Sequence, residues 1–400
     1  MTRTDPEALG GRRVVVVNWR DPWHRLAGGS ERYAWELLVA LRDAGARVEL
    51  WTARDEGQSS HEERDGVRVL RWGGQYAFYA GVWARLLGER LRGRLPDLVV
   101  DMDCGIPSFT PLPAGRRTPV VLFVHHVHQQ QFRTAMPRPL SDLGRFLERR
   151  AMPVVYRRVP TVAVSDSTVG EMRDQLGWRG EVHVIHNGTD RPETGSASGS
   201  ASDAERVVVL GRVVAHKRLD LVVRAFARVR ASHAGATLDL VGTGPELPSV
   251  TAVVEELGLG DVVRVHGFLS EQEKSRVLSA ARLHVCASDA EGWGQVVLEA
   301  AAHGLPTLAR NVPGMRDSVL DGTTGWLLDD PDPHPAPARL VEGLARGMED
   351  ALDRLTDPAV RVRVGRDCRK WAEGFGWDRM HAQVVAQARE ALGRPSLSGR

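Results

Sequence analysis

Residues 288–319 read SDAEGWGQVVLEAAAHGLPTLARNVPGMRDSV, and this stretch decides how the second half of the chain folds. A loop with two glycines leads into an apolar run that begins at Gln295 and stops at Gly304, and a second short apolar run follows. A helix that is apolar on almost every side must be buried, and a short apolar run suits a strand in a parallel sheet covered on both faces. The stretch therefore predicts a loop, a buried helix and a buried strand of an α/β fold.

Two glutamates of this stretch are candidate ligand-binding groups. Glu291 precedes the helix, Glu299 lies within it, and seven residues separate them. A glycine loop before a helix N-terminus is a common place to hold an anion, and carboxylates accept hydrogen bonds from sugar hydroxyls. A carboxylate in a buried helix needs a partner, because its unpaired burial is costly. The alternative is that neighbouring backbone or arginine groups satisfy both glutamates without a ligand.

Length and composition exclude several classes of protein. The chain has 400 residues, 42% hydrophobic and 26% charged, which is typical of a globular protein with about two domains. The net charge of +2 does not support nucleic-acid binding. Three widely spaced cysteines fit neither a disulfide framework nor a zinc site and favour a reducing, cytoplasmic location. The apolar run Val14–Val17 is too short for a signal-peptide core, and no run reaches the roughly 18 residues of a membrane span.

Both halves alternate short apolar strands with helices, which predicts a parallel sheet with helices on both faces in each half. A Gly/Ser/Ala run at 195–202 is typical of a flexible linker. We therefore predict an N-terminal domain at 1–190, a linker at 191–204, a C-terminal domain at 205–375 and a final helix at 376–400. The predicted strands are Val14–Val17, Val48–Trp51, Val67–Leu70, Leu98–Asp101, Val120–Val124, Thr161–Val164, Val182–Ile185, Val207–Leu210, Leu238–Val241, Val262–Val265, Leu283–Cys286 and Leu305–Ala309.

A glycine pair lies after the first predicted strand. Gly28 and Gly29 precede a helix that is predicted from Glu31, with Ser30 as its N-cap. The pair suits either a cradle for a phosphate or sugar or a tight turn without a ligand, and the residues alone leave both open.

Acidic and histidine side chains follow two further strands. Asp101 and Asp103 form an Asp-x-Asp triplet, which can hold a divalent metal, but no third ligand is in view and a structural role is favoured. His125, His126 and His128 follow the next strand. Ligands bind outside the carboxyl ends of strands in open α/β sheets, so we predict a ligand-facing His125 in preference to a zinc site. A solvated or capped histidine cluster is the alternative.

The segment Arg116–Arg158 is strongly basic, with nine arginines, two acids and interleaved apolar residues. It suits an amphipathic surface that lies on a membrane, a solvated helix face or a site for an anionic acceptor. The sequence slightly favours the solvated face.

The strand ends of the second half also carry ligand-binding residue types. Arg212 and Lys217 follow one strand and can hold a diphosphate from two sides, although surface cations at a helix start are common. Gly244 follows the next strand, and Gly267 and Phe268 follow the one after. Because these strand ends meet at one edge of the predicted sheet, together with Glu291, they predict a single site.

The combined pattern resembles glycosyltransferase family 4, whose members are retaining, nucleotide-sugar-dependent enzymes of the GT-B fold. EGWGQVVLE at 291–299 resembles the family's E-x7-E motif, and GRVVAHK at 211–217 its G-R-x4-K element. GGSE at 28–31, VHH at 124–126 and HNGTD at 186–190 resemble its glycine loop, histidine loop and N-G-x-D element. The resemblance covers nearly the whole chain. It implies two Rossmann-like domains facing across a cleft, with the final helix crossing back onto the N-terminal domain.

The resemblance implies a role for each matching residue. Arg212 and Lys217 would bind the donor diphosphate and stabilise the leaving group, which makes a metal or other cofactor unnecessary. Glu291 would contact the donor sugar, Glu299 the ribose, and His125 the sugar from the other domain. A front-face mechanism without a protein nucleophile is implied. Among the other implied donor contacts, Gly244, Gly267 and Phe268 would flank the base. The remaining ones are Gly28, Gly29, Gly292, Trp293, Gly294 and Gln295.

Three residues depart from the family's usual pattern: Trp293 replaces Phe, Arg218 replaces Gly and Asp317 replaces Glu. These positions affect the donor pocket and hence the identity of the sugar. We expect a nucleoside-diphosphate sugar donor and a glycan, lipid-linked or small-molecule acceptor. A sugar phosphorylase or nucleotide-sugar epimerase of the same fold, or a catalytically silent nucleotide-sugar-binding partner, is the alternative.

Overall fold

The structure is a computed structural model, and it describes residues 7–74, 77–103, 105–135, 137–192, 205–328, 330, 332 and 335–393. The predicted linker at 191–204 falls mostly outside these residues. The chain divides into two compact units, one of Met1–Gly188 with Trp377–Arg400 and one of Thr189–Gly376.

The N-terminal unit is built on one sheet. Its strands are β1 (Arg13–Val17), β2 (Arg47–Ala53), β3 (His61–Arg64), β4 (Val67–Trp72), β5 (Leu98–Asp103), β6 (Val120–Val124), β7 (Thr161–Ala163) and β8 (Val182–Val184). Within the described residues they lie in the order β3-β4-β2-β1-β5-β6-β7-β8, and all the pairings are parallel except that of β3 with β4. The valine-rich strands are buried because helices cover both faces of the sheet.

The helices of this unit are α1 (Gly29–Asp43), α2 (Ala77–Leu91), α3 (Pro111–Ala114), α4 (Gln131–Ala135), α5 (Leu140–Phe146), α6 (Met152–Val155) and α7 (Asp166–Leu176). A π-helical turn at Leu147–Ala151 joins α5 to α6.

The second unit contains a smaller sheet that is parallel throughout its described strands. These are β9 (Arg206–Leu210), β10 (Thr237–Val241), β11 (Val263–Gly267), β12 (Leu283–Cys286), β13 (Thr307–Arg310) and β14 (Gly325–Leu328), in the order β11-β10-β9-β12-β13-β14. Its helices are α8 (Leu219–Val229), α9 (Leu247–Glu256), α10 (Glu271–Ala280), α11 (Gln295–Ala302), α12 (Met315–Ser318), α13 (Pro337–Arg354) and α14 (Pro358–Glu373). The last helix, α15 (Trp377–Gly393), belongs to the N-terminal unit, where it packs against α1.

The strand order locates the ligand-binding edge in each unit. The chain moves outward from β9 to β11, then crosses to β12 on the other side of β9. Such a reversal opens a crevice at the carboxyl ends of the two central strands. In the C-terminal unit this crevice lies between the loops that follow β9 and β12. In the N-terminal unit the same reversal lies between β1 and β5.

One local prediction was wrong, and two edge strands, β3 and β14, were not predicted. The predicted N-cap of α1 is Ser30, but the helix begins at Gly29 with Gly28 as its N-cap, because Glu31 accepts a hydrogen bond from the Gly28 amide at 2.7 Å. The antiparallel edge strand β3 has the sequence HEER and was missed, since polar edge strands lack an apolar pattern. Across the described residues, no helix is both long and apolar enough to cross a membrane.

Candidate functional site

The loops after β9 and β10 pack backbone against backbone. Gly211 and Gly242 adopt φ angles of +131° and +141°, and a Cβ atom on Gly242 would lie 1.8 Å from the Gly211 carbonyl oxygen. A Cβ on Gly244 would lie 2.3 Å from the carbonyl oxygen of Val213. These contacts require glycine and hold the Gly211–Lys217 loop at the edge of the sheet. The predicted contact of Gly244 with the nucleotide stays a prediction.

An ion pair joins the two central strand ends of the C-terminal unit. Lys217 Nζ, after β9, donates to Glu291 Oε1, after β12, at 2.6 Å. The Ser288 hydroxyl donates to the same oxygen at 2.9 Å. The Lys217 and Glu291 side chains are only 11% and 19% exposed, so the pair lies in the crevice rather than on the open surface. The structure thus brings together two residues that are 74 positions apart in the sequence.

Both members of this pair are charged at neutral pH. Burial opposes ionisation of each group, but their mutual attraction outweighs it, so the pKa of Glu291 is lowered and that of Lys217 is raised. Burial also lowers the pKa of the adjacent His216. The charge of Glu291 opposes this shift, whereas the charges of Lys217 and Arg212 add to it. Arg212 is half-buried and its charge acts on this cluster. The site therefore combines cations with one carboxylate.

A second set of contacts, which the sequence analysis missed, fixes the loop around Glu291. Asp289 accepts hydrogen bonds from Arg218 Nε at 2.7 Å and from Arg310 Nη1 at 2.5 Å. Its amide donates to the carbonyl of His216 at 2.7 Å. Arg218 has φ +52°, the left-handed region in which glycine is favoured, so this departure from the family pattern is a strained position held by its bond to Asp289. The sequence signal for these contacts was the Asp-x-Glu spacing of Asp289 and Glu291 after a predicted strand.

The loop between Glu291 and α11 is anchored by packing. Gly294 is the N-cap of α11 at φ +82°. Trp293 is 4% exposed, and its ring centroid lies 5.1 Å from that of Phe375. The indole that replaces the family's usual Phe is thus a buried anchor of the loop. The donor contacts predicted for Gly292, Trp293, Gly294 and Gln295 stay predictions.

Glu299 has the partner that its burial requires. Its carboxylate accepts a hydrogen bond from Lys274 Nζ at 3.1 Å, and Lys274 also binds Glu271 at the start of α10. The predicted partners of Glu299 in the absence of a ligand were arginine or backbone groups, and the structure supplies a lysine instead. The contact leaves acceptor capacity on the Glu299 carboxylate, and its predicted ribose contact stays a prediction.

The residues predicted to flank the base lie at the end of β11. Gly267 adopts φ +68°, and the neighbouring Phe268 is 82% exposed. An aromatic ring so exposed is available for stacking. Its contact with a base stays a prediction.

The N-terminal unit holds the other predicted site residues. His125 is 4% exposed, and its ring lies edge-on to Tyr33 with centroids 5.0 Å apart. Burial lowers its pKa to about 4, so the imidazole is neutral at pH 7. Its Nε2 has no hydrogen-bond partner in the described ranges. The Gly28 amide donates to Glu31 in capping α1, and the predicted donor contacts of Gly28 and Gly29 stay predictions.

Comparisons with known proteins agree with this arrangement. The family model described as Glycosyl transferases group 1 matches residues 190–356, and the one described as Glycosyltransferase Family 4 matches residues 27–192. The D-inositol 3-phosphate glycosyltransferase of Paenarthrobacter aurescens is 30% identical over 92% of this chain and 94% of its own length. The D-inositol 3-phosphate glycosyltransferase of Streptomyces avermitilis is 33% identical over 50% of this chain, and the match covers 45% of that relative's length. The glycogen synthase of Mycobacterium tuberculosis is 27% identical over 96% of each.

Solved structures share the fold at low sequence identity. Sucrose-phosphate synthase from Thermosynechococcus elongatus superimposes with a TM-score of 0.78 at 21% identity, over 95% of this chain and 98% of that one. Anabaena HepE in complex with UDP and glucose superimposes with a TM-score of 0.70 at 18% identity, over 95% and 100%. The predicted family resemblance and fold class are confirmed: the chain belongs to glycosyltransferase family 4 and is a glycosyltransferase of the GT-B fold.

Proposed function

We propose that the chain is a retaining, metal-independent hexosyltransferase that uses a nucleoside-diphosphate sugar. The observation that carries the proposal is the ionised Lys217–Glu291 pair at the carboxyl ends of β9 and β12, with Arg212 beside it. A crevice at this reversal of strand order is where α/β folds bind nucleotides. HepE, which shares the fold, is described in complex with UDP and glucose.

The cations supply the chemistry that the leaving group needs. Lys217 has three N–H donors and Arg212 five, so both retain donors for a diphosphate beyond their contacts within the protein. Charge on the leaving nucleoside diphosphate grows as its bond to the sugar C1 breaks, and fixed cations stabilise that charge without a metal ion.

The carboxylate of Glu291 suits the sugar side of the same bond. As the C1–O bond to the diphosphate breaks, positive charge develops on C1 and the ring oxygen. The acceptor oxygen then bonds to C1 from the face that the diphosphate leaves, and its proton passes to a diphosphate oxygen. The anomeric configuration is retained, and Glu291, held anionic by Lys217, stabilises the developing positive charge.

A panel of nucleotide sugars tests the proposal. We expect at least one donor to raise the melting temperature of the protein and to be turned over, by transfer or by slow hydrolysis. Arg212→Ala removes donors to the diphosphate and should abolish both responses. Arg224→Ala is the matched control, because Arg224 forms an exposed ion pair with Glu256 on α8 and α9, away from the site. The proposal fails if no donor produces a response, or if the response survives in Arg212→Ala.

We further propose that the N-terminal unit contacts an anionic membrane surface at the cytoplasmic face, where the acceptor would be a lipid-linked or membrane-bound glycan. The helical run from α5 to α6 buries Ser141, Gly144, Glu148 and Met152. Its opposite side exposes apolar groups, of which Leu143 is 52%, Phe146 58% and Val154 66% exposed.

The charge around these groups favours lipid over water as their neighbour. Among the described residues between Arg116 and Arg158, eight arginines are exposed against one exposed acid, Asp142. The exposed arginines are Arg116, Arg117, Arg133, Arg138, Arg149, Arg150, Arg157 and Arg158. Arginines near an anionic surface each contribute about 1 kcal/mol of attraction, and apolar side chains between them insert below the headgroups.

Vesicle sedimentation tests the membrane contact. We expect binding to vesicles of phosphatidylglycerol and phosphatidylcholine, weakening as salt screens the arginines, and none to phosphatidylcholine alone. A Leu143→Ser, Phe146→Ser double variant should lose most of the binding. Leu91→Ser is the control, because Leu91 is 89% exposed at the end of α2, outside this surface. Equal binding by the double variant, or binding that ignores salt and lipid charge, would refute the contact.

A further inference from the structure

Two buried acids lie close together at the carboxyl edge of the N-terminal sheet. Asp103 ends β5 and is 2% exposed, and neither of its carboxylate oxygens has a hydrogen-bond partner within the described part of the chain. Glu148 lies in the π-helical turn, with a side chain that is 0% exposed. Neutralisation or pairing is needed here, since isolated buried carboxylates are costly.

His128 completes a group of three. Its amide donates to Glu148 Oε1 at 2.6 Å, and its Nδ1 lies 3.2 Å from the same oxygen. Gln129 Nε2 donates to Glu148 Oε2 at 2.7 Å and orients the carboxylate. One ligand atom from each of Asp103, His128 and Glu148 lies within 4.8 Å of the other two.

The electrostatics of Asp103 call for positive charge. The carboxylate of Asp103 is buried, and the neighbouring charges that act on it, those of Glu148 and Asp101, are both acidic. Asp101 accepts hydrogen bonds from the hydroxyls of Thr110 and Tyr156, each at 2.5 Å, whereas Asp103 points toward His128 and Glu148 without such donors. A proton can relieve the repulsion between two carboxylates, and so can a divalent cation.

The spacing suits an ion held between the three side chains. Metal bonds from carboxylate oxygen and imidazole nitrogen are about 2.0–2.2 Å long, so ligand atoms around one ion stand roughly 3–4.4 Å apart. The observed separations are at most 4.8 Å, so a small contraction brings the ligand atoms into this range. The π turn adds a residue to the helical run and brings Glu148 to the inner side, and such turns are frequent at functional sites.

We infer that Asp103, His128 and Glu148 bind one divalent first-row transition ion, of the Zn²⁺ or Mn²⁺ class. The imidazole nitrogen favours such ions over Mg²⁺ and Ca²⁺, which prefer oxygen ligands alone. The ion ties together the end of β5, the loop after β6 and the turn between α5 and α6. It neutralises the buried acids, and its ligand His128 lies three residues after His125. It takes no part in holding the donor diphosphate, so the inference does not depend on the proposed transfer reaction.

Calorimetric titration of tag-free protein, stripped with EDTA, tests the site with Zn²⁺ and Mn²⁺ as probes. We expect one ion per chain and a rise in melting temperature for the wild type. Asp103→Asn keeps the shape of the side chain but removes its charge, and should weaken this binding by at least about 100-fold, since loss of outer-shell partners alone costs 10- to 100-fold. Asp142→Asn is the matched control. Asp142 is an exposed acid on α5, so this variant protein should bind the ion like the wild type.

The variants Asp103→Asn and Glu148→Gln also distinguish an ion site from a proton shared between the two carboxylates. Without metal, Asp103→Asn should melt at or above the wild-type temperature, because the repulsion is gone and the chain still folds. Glu148→Gln provides a second test that retains an acceptor for the His128 amide, and it too should lose the ion. The inference is overturned if the wild type binds no stoichiometric ion, or if Asp103→Asn binds it with unchanged affinity.

Discussion

Replacing Lys217 with glutamine should lower kcat/KM for sugar transfer by about 100- to 1,000-fold, the usual cost of removing one charge-stabilising donor from a developing anion. Its Nζ lies 2.6 Å from Glu291 Oε1, and the side chain, which is 11% exposed, is a largely buried cation after β9. The loss should appear in kcat as well as in KM, because charge on the leaving diphosphate is greatest in the transition state. Steady-state kinetics with the responding donor measure it.

The same variant should lower the free energy of unfolding by about 2 kcal/mol, because Glu291 keeps Ser288 as a donor but loses its buried counter-charge. The pKa of Glu291 is lowered in the folded protein, so in the wild type this stabilisation is present above the ordinary glutamate pKa and is lost as the pH falls through the folded value. Lys217→Gln with Glu291→Gln should recover much of the stability but not the activity. Arg224→Gln serves as the exposed control. Near-wild-type kcat in Lys217→Gln would remove Lys217 from the proposed chemistry.

Gly314→Ala should reduce transfer by about 100-fold without changing any side chain that touches the donor, since a displacement of about 1 Å has a cost of this size. Gly314 adopts φ +77°, and a Cβ there would lie 2.2 Å from the Glu291 carbonyl oxygen and 2.7 Å from its carbonyl carbon. One of the two backbones must shift to relieve this overlap, and a shift of the Glu291 backbone displaces its carboxylate. We also expect the free energy of unfolding to fall by about 3 kcal/mol, from the left-handed backbone and the overlap together.

Gly322→Ala is the matched control for this effect. Gly322 adopts φ +70° in the same unit, but a Cβ there would meet no atom within 4 Å. It should lose only the about 1–2 kcal/mol of a non-glycine residue in the left-handed region and keep full activity. If both variants lose the same activity, backbone strain and not displacement of Glu291 explains the result.

Strand and helix positions could be predicted from the sequence where burial imposes a pattern. The strands Val120–Val124 and Leu283–Cys286 have the predicted bounds, because continuous apolar runs leave little choice. The polar strand β3 could not be found this way, since its pairing with β4 decides its conformation. The N-cap of α1 was misplaced because glutamate three residues after Gly28, rather than Ser30, satisfies the helix end.

The candidate site shows the same division. The spacing of Glu291 and Glu299 and the pair Arg212 and Lys217 were recognisable as residue types at strand ends. The contacts around them were not: Asp289 with Arg310, and Lys274 with Glu299, are separated by 21 and 25 positions and meet only in the folded chain. Tertiary burial alone makes His125 neutral.

The sequence by itself determined the fold class, the family and the residue types at the strand ends, because these follow from local periodicity and from motifs only nine residues long or shorter. Only the tertiary structure decided which charges are paired, which are buried and which glycines are required by contact. It also brought Glu148 to Asp103 and His128, although the sequence favoured a structural role for the Asp-x-Asp triplet and showed no third ligand. The physical reason is that burial and pairing are properties of distance in space, and sheet order sets those distances.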